Sequence, residues 1–125
     1  MTPRTITCLL FALGLTLTCE RAALAHHSSA MYDTTRLVTL HGVVKEFRWT
    51  NPHVSMIIDT GASGGGARWV VEATSPGNLS RSGWRRTSLN ASDRVVVVAA
   101  PLRDGGHGGY CQSVTLVESG KRLEC

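Results

Sequence analysis

The chain lacks any apolar run long enough to cross a bilayer comfortably. Its greasiest stretch, Cys8 to about Leu17 in "MTPRTITCLLFALGLTLTCERAALA", falls short of the ~20 residues that a spanning helix needs. A strong charge of one sign is also missing. The formal net charge is +4, spread along the chain, which permits anionic partners without demanding them. There is no CxxC or Cys/His spacing, so nothing points to a redox dithiol or a zinc knuckle. No serine, cysteine or lysine sits where a neighbour would activate it as a nucleophile. "PLRDGGHGG" has the glycines of a phosphate-cradling loop but not their order, the lysine or the following helix. Repeats and coiled-coil patterning are absent, and 125 residues make one domain at most.

What is present begins with an export signal. Arg4 opens a basic leader, an apolar run follows, and Ala23 and Ala25 flank Leu24 in an A-x-A cleavage pattern. Residues 1–25 read as a signal peptide, although Glu20 and Arg21 sit untidily before the cut. Lipid attachment at Cys19 and an uncleaved anchor are the alternatives. Cleavage removes Arg4, Arg21 and Glu20, so 11 basic and eight acidic residues remain, a net +3. No membrane span is expected after cleavage, and the expected location is the periplasm or the exterior. An exported protein rarely meets nucleic acid. Cleavage also removes Cys8 and Cys19 and leaves Cys111 and Cys125 as a candidate disulfide in an oxidising compartment.

After an arm at 26–36, residues 37–118 read as strands around one short helix, with 119–125 as a carboxy-terminal tail. "LVTLHGVVKEFRW" alternates with Val38, Leu40 and Val44 on one parity, then changes phase around Lys45 and Glu46 to put Phe47 and Trp49 on the other. That is the signature of a bulge in a long bent strand. "TNP" breaks the chain, then "HVSMIID", "ARWVVEA", "SDRVVVVAA" and "YCQSVTLV" supply four more strands. In "TSPGNLSRSGW", Ser75 can cap a two-turn helix, Pro76 suits its first position and Gly83 can end it. The order predicts an all-β fold, a small five-stranded OB-like barrel with one short helix between the third and fourth strands. A two-layer β-sandwich is the alternative. Such a core leaves little room inside, so a ligand is expected on the barrel.

Two places could carry chemistry. Cleavage after Ala25 makes His26 the first residue, and its amine and imidazole, with His27 and His53, could hold copper or zinc. Asp59 and Glu72 point outward from neighbouring strands and could complete that metal site. In a plainer reading, terminal histidines are mobile and unmetallated, or His26 and His27 only hydrogen-bond to Asp59 or Glu72. The second place is "LSRSGWRR", where Arg81, Arg85 and Arg86 surround Trp84 and could bind an anionic or stacking ligand. The bland version makes Trp84 a core plug and the arginines its solvated rim. No catalytic residue is assigned, and an enzyme would require His53 to lie in a real cleft.

The stretches "AHHS", "VTLHGVV", "WTNPHV", "SPGNLSRSGWRRTSL", "SDRVVV" and "VTLVESGKRL" together resemble a family of small exported bacterial proteins known only as domain of unknown function 6152. The resemblance runs over essentially the whole mature chain. It implies an exported, β-rich protein and no established activity. By matching position, the family's recurrent features fall on His26, His27, Ser28, Trp49, Asn51, Pro52, His53, Glu72, Gly83, Trp84, Arg86 and Asp93. Tyr32 stands where members look phenylalanine-like, and Ser92 replaces the glycine common before Asp93. The "GASGGG" loop is glycine-richer than usual, and neither Cys111 nor Cys125 looks like a family feature. The resulting expectation is an exported binding or accessory module, taking copper or zinc near its new amino terminus. The alternative is an interaction module for another exported protein or an anionic glycan.

Overall fold

The structure, a computed structural model, describes residues 30–61 and 66–125. The expected leader, His26 and His27 lie outside those residues. The chain divides into Met1–Met31 and Tyr32–Cys125, and the strands among the described residues all lie in the second unit.

Strand β1 (Val38–Arg48) is the axis of the fold because it serves two partners. Its first half pairs with β4 (Arg94–Pro101), from Val38↔Ala99 to Val43↔Arg94. Its second half pairs with β2 (Ser55–Asp59), from Val43↔Asp59 to Arg48↔Ser55. The register slips between Val44 and Glu46, leaving Lys45 as the extra residue of a bulge. This is the predicted phase change, and it lets Val44 and Phe47 both turn toward the core. Gly42 lies just before it. A Cβ there would stand 2.6 Å from the Asp59 carbonyl oxygen and 2.7 Å from Ile58 Cγ2, so only glycine permits this approach of β1 to β2.

Strand β3 (Arg68–Glu72) forms a five-rung hairpin with β2, then runs parallel to β5 (Gly108–Leu116) through Val70↔Gly108, Val71↔Gly109 and Glu72↔Tyr110. With β4 antiparallel to β5, the ring closes as β1–β2–β3–β5–β4. The sandwich alternative is thereby excluded. The two seam glycines of β5 are also packed closely on their β4 side: a Cβ at Gly108 would lie 2.6 Å from Leu102 Cδ1, and one at Gly109 would lie 3.0 Å from Ala99 Cβ. Val54, Met56, Ile58, Val71, Val95, Val97, Ala99 and Val114 fill the interior and are essentially inaccessible to solvent.

Helix α1 (Pro76–Arg81) bridges β3 and β4. The Asn78 amide donates to Ser75 Oγ at 3.3 Å, and Pro76 takes the first turn, where its missing N–H costs nothing. Gly83 ends the turn with φ +87°. Leu79, Trp84 and Leu89 then plug the barrel's end. Ser92 adopts φ +77°, the left-handed region that favours glycine.

One expectation needs correcting. Residues 119–125 are not a free tail, because Arg122–Glu124 form β6, antiparallel to β5. Leu123 is buried, and Cys125 is joined to Cys111 across a Cα–Cα distance of 5.7 Å. Tyr32 and Asp33, ahead of β1, are tied down as well: Tyr32 bridges to Leu102, and the Asp33 amide donates to the Pro101 carbonyl.

Candidate functional site

A filled barrel leaves its outside for binding, and strand register dictates what each face presents. Across β1, β2, β3 and β5 the outward residues form rows. Arg48, Ser55, Glu72 and Tyr110 make one, and Glu46, Ile57, Val70 and Gly108 the next. Val43, Asp59 and Arg68 make a third. Val70, 49% exposed, and Ile57 thus form a small apolar strip between charged rows.

The charged members are committed locally. Glu46 accepts two hydrogen bonds from the Arg48 guanidinium, at 2.6 and 3.0 Å. Asp59 accepts from the Gly61 amide at 2.8 Å and sits 3.6 Å from Lys45 Nζ. That amide first, then the Lys45 charge, holds its carboxyl below the ordinary aspartate range. Glu72 accepts from the Tyr32 hydroxyl at 3.0 Å, and the Tyr32 ring lies 5.6 Å from that of Tyr110. Burial, reinforced by the Glu72 charge, pushes the Tyr32 phenol well above its ordinary value. Tyr32 is the residue that sequence reasoning missed. An aromatic in the arm, just ahead of the first strand, was its only signal.

Of the metal candidates, His53 is exposed in the turn between β1 and β2, beside a cis Asn51–Pro52 peptide bond. Its imidazole makes no hydrogen bond among the described residues. Asp59 and Glu72 share a face but stand at opposite ends of the hairpin, four residues apart along the strands, on the order of 13 Å. Among the described residues no three histidine, cysteine or carboxylate side chains gather to hold an ion.

The arginine cluster divides. Trp84 is 1% exposed, and its indole N–H donates to the Glu124 carbonyl at 2.7 Å. It is the core plug and not part of any surface, because Gly83 turns the chain so that the next side chain enters the barrel's end. Arg81 donates to Asn78 Oδ1 at 2.8 Å on the helix. Arg85 and Arg86 are exposed and have no ionic partner among the described residues. Their backbone is held by a reciprocal turn, in which the Arg85 amide donates to Ser88 Oγ at 2.8 Å and the Ser88 amide to the Arg85 carbonyl at 2.9 Å. Trp69, on the inward parity of β3, is only partly buried and packs against the core, with its ring 5.5 Å from that of His107.

Among solved structures, the chain is similar to a mitochondrial single-stranded DNA binding protein of S. cerevisiae, Rim1. The identity is 13% and the TM-score 0.50, over 66% of this chain and 94% of that one. At that identity the likeness shows the OB fold alone. No curated protein matches the chain. A family model, described as a family of unknown function, matches residues 15–112, well over half of the sequence. The chain belongs to that family, DUF6152.

Proposed function

We propose that the protein is an exported binding module that docks on an anionic surface, carried by another exported protein or by a glycan, through Arg85 and Arg86. The observation that carries this reading is their state: two adjacent, exposed guanidinium groups with no carboxylate partner among the described residues, on a loop already ordered by Ser88 and by the buried Trp84 beside it. A pre-ordered loop loses little freedom on binding, and guanidinium suits planar anions. The filled interior favours an external ligand. Export is supported by the leader pattern and by the Cys111–Cys125 bond, which suits an oxidising compartment.

The outer β2–β3 face does not favour single-stranded nucleic acid. Binding of that kind uses several aromatic platforms in a basic groove, whereas this face carries Ser55, Ile57 and Val70 with Arg48 and Arg68 balanced by Glu46, Asp59 and Glu72, and Tyr110 at its edge.

The test is retention on immobilised heparin, a model polyanion. Arg85→Glu with Arg86→Glu should lower the eluting salt concentration sharply while leaving the unfolding temperature unchanged. A charge-matched control, Arg36→Glu with Lys121→Glu, should lower it much less. Equal losses in the two variants overturn the reading. The copper or zinc reading of His26, His27 and His53 is a second proposal, supported by the unengaged His53 imidazole. Titrating Cu(II) into protein whose first residue is His26, and into the His53→Ala form, tests it.

A further inference from the structure

A cleft separate from the arginine loop lies where β1 changes partners. Val43 pairs with Asp59 on one side and with Arg94 on the other, and beyond that point β2 and β4 diverge. The gap between them is a cleft of about 220 Å³ lined by His41, Val43, Thr60, Arg94, Val95 and Val117. It adjoins a second cleft of about 310 Å³ that shares Arg94.

The lining has two chemistries side by side. His41 pairs with Val96 while Val43 pairs with Arg94, so His41 and Arg94 are diagonal neighbours on one face, about 7–8 Å apart at the backbone. Two long donor side chains at that spacing can converge on one anion. Among the described residues the Arg94 guanidinium has no carboxylate within 4 Å and the His41 imidazole makes no hydrogen bond. Val43 and the 44%-exposed Val117 flank Arg94 on the same face, one on each side, and give the cleft its dry wall. The nearby negative charges are occupied or face away from this cleft. Asp59 is bound to Gly61 and Lys45, Asp93 accepts from the Asn90 amide at 2.7 Å, and Glu118 lines only the adjoining cleft.

We infer that this cleft binds a small organic carboxylate with a short apolar tail, the carboxylate on Arg94 and His41 and the tail against Val43 and Val117. Arginine supplies a planar fork that matches a carboxylate. An open cleft of this size supports a Kd on the order of 1 mM for a ligand of about nine heavy atoms.

The probe is benzoate, titrated into the exported, disulfide-bonded protein while backbone amide NMR shifts are followed. Saturable shifts are expected at His41, Val43, Arg94 and Val117, with none at Arg85 or Arg86. Arg94→Gln should raise Kd about tenfold, and His41→Ala should raise it less. Both side chains are exposed, so the fold should survive, and an unchanged amide spectrum elsewhere checks that. Benzamide, the neutral isostere, should fail to saturate. The proposal is overturned by non-saturating benzoate shifts, by unchanged affinity in Arg94→Gln, or by benzamide binding equally well. Inorganic phosphate binding as tightly as benzoate would equally overturn it, since the apolar wall would then have no role. The Arg85→Glu, Arg86→Glu form should bind benzoate normally, which separates this outcome from that of the arginine loop.

Discussion

The indole N–H of Trp84 is hydrogen-bonded to the main-chain carbonyl of Glu124, 40 residues further along the chain. The plug that follows the helix and the last strand therefore hold each other in place. Trp84→Phe keeps most of the ring but leaves that carbonyl without its donor and a gap beside Phe47, whose ring centroid lies 6.0 Å away. The expected loss is about 2 kcal/mol in urea unfolding, with β6 amides exchanging faster than those of β4.

The bond from Cys111 to Cys125 closes a segment with a sequence separation of 14 and fixes β6 from its far end. Reduction, or Cys125→Ser, should lower stability by about 3 kcal/mol. The check is the denaturant midpoint with and without reductant. Wild type should move and Cys125→Ser should not respond.

Gly42→Ala should destabilise by about 1–3 kcal/mol, because the added methyl meets the Asp59 carbonyl and Ile58 at less than contact distance. Ala at Gly77, where the nearest atom is Ser75 Oγ at 4.0 Å, is the control and should be nearly neutral or stabilising. Thermal unfolding of the two variants side by side separates steric conflict from the general effect of glycine replacement.

Tyr32 links stability to alkaline pH. Its phenol ionises at a higher pH in the folded state than in the unfolded chain, so the neutral form is favoured by folding. The stabilisation is complete below the unfolded value of about 10 and declines as pH rises above it, because the unfolded chain then loses its proton first. Tyr32→Phe should be less stable at pH 7, through loss of the bond to Glu72, and should show a shallower fall between pH 9 and 11. Unfolding midpoints across that range test both statements.

Most of the barrel was legible in the sequence because its devices are local. The slip at Lys45 shows as a change in apolar phase, and the helix announces itself through Ser75, Pro76 and Gly83. What was not legible depends on distant partners. "RLE" at β6 is too short for a period-two pattern to stand out, and its strand character comes from β5, the disulfide and Trp84. The partial exposure of Trp69 follows from its place at the strand's open start beside His107, which no spacing encodes. In the candidate sites, residue type suggested the arginine loop, but only the fold could separate Trp84 from Arg85 and Arg86. Register likewise separates Asp59 from Glu72, since equal parity places two residues on one face without placing them near each other.

The two-glycine seam at Gly108 and Gly109 has a consequence for anyone reshaping this scaffold. It works like the clasp of a bracelet: the circumference is set where the two ends meet, in the three rungs from Val70↔Gly108 to Glu72↔Tyr110, while lengthening a loop elsewhere leaves its diameter unchanged. New recognition segments are therefore best grafted into the hairpin connection between Asp59 and Arg68, with the clasp left untouched.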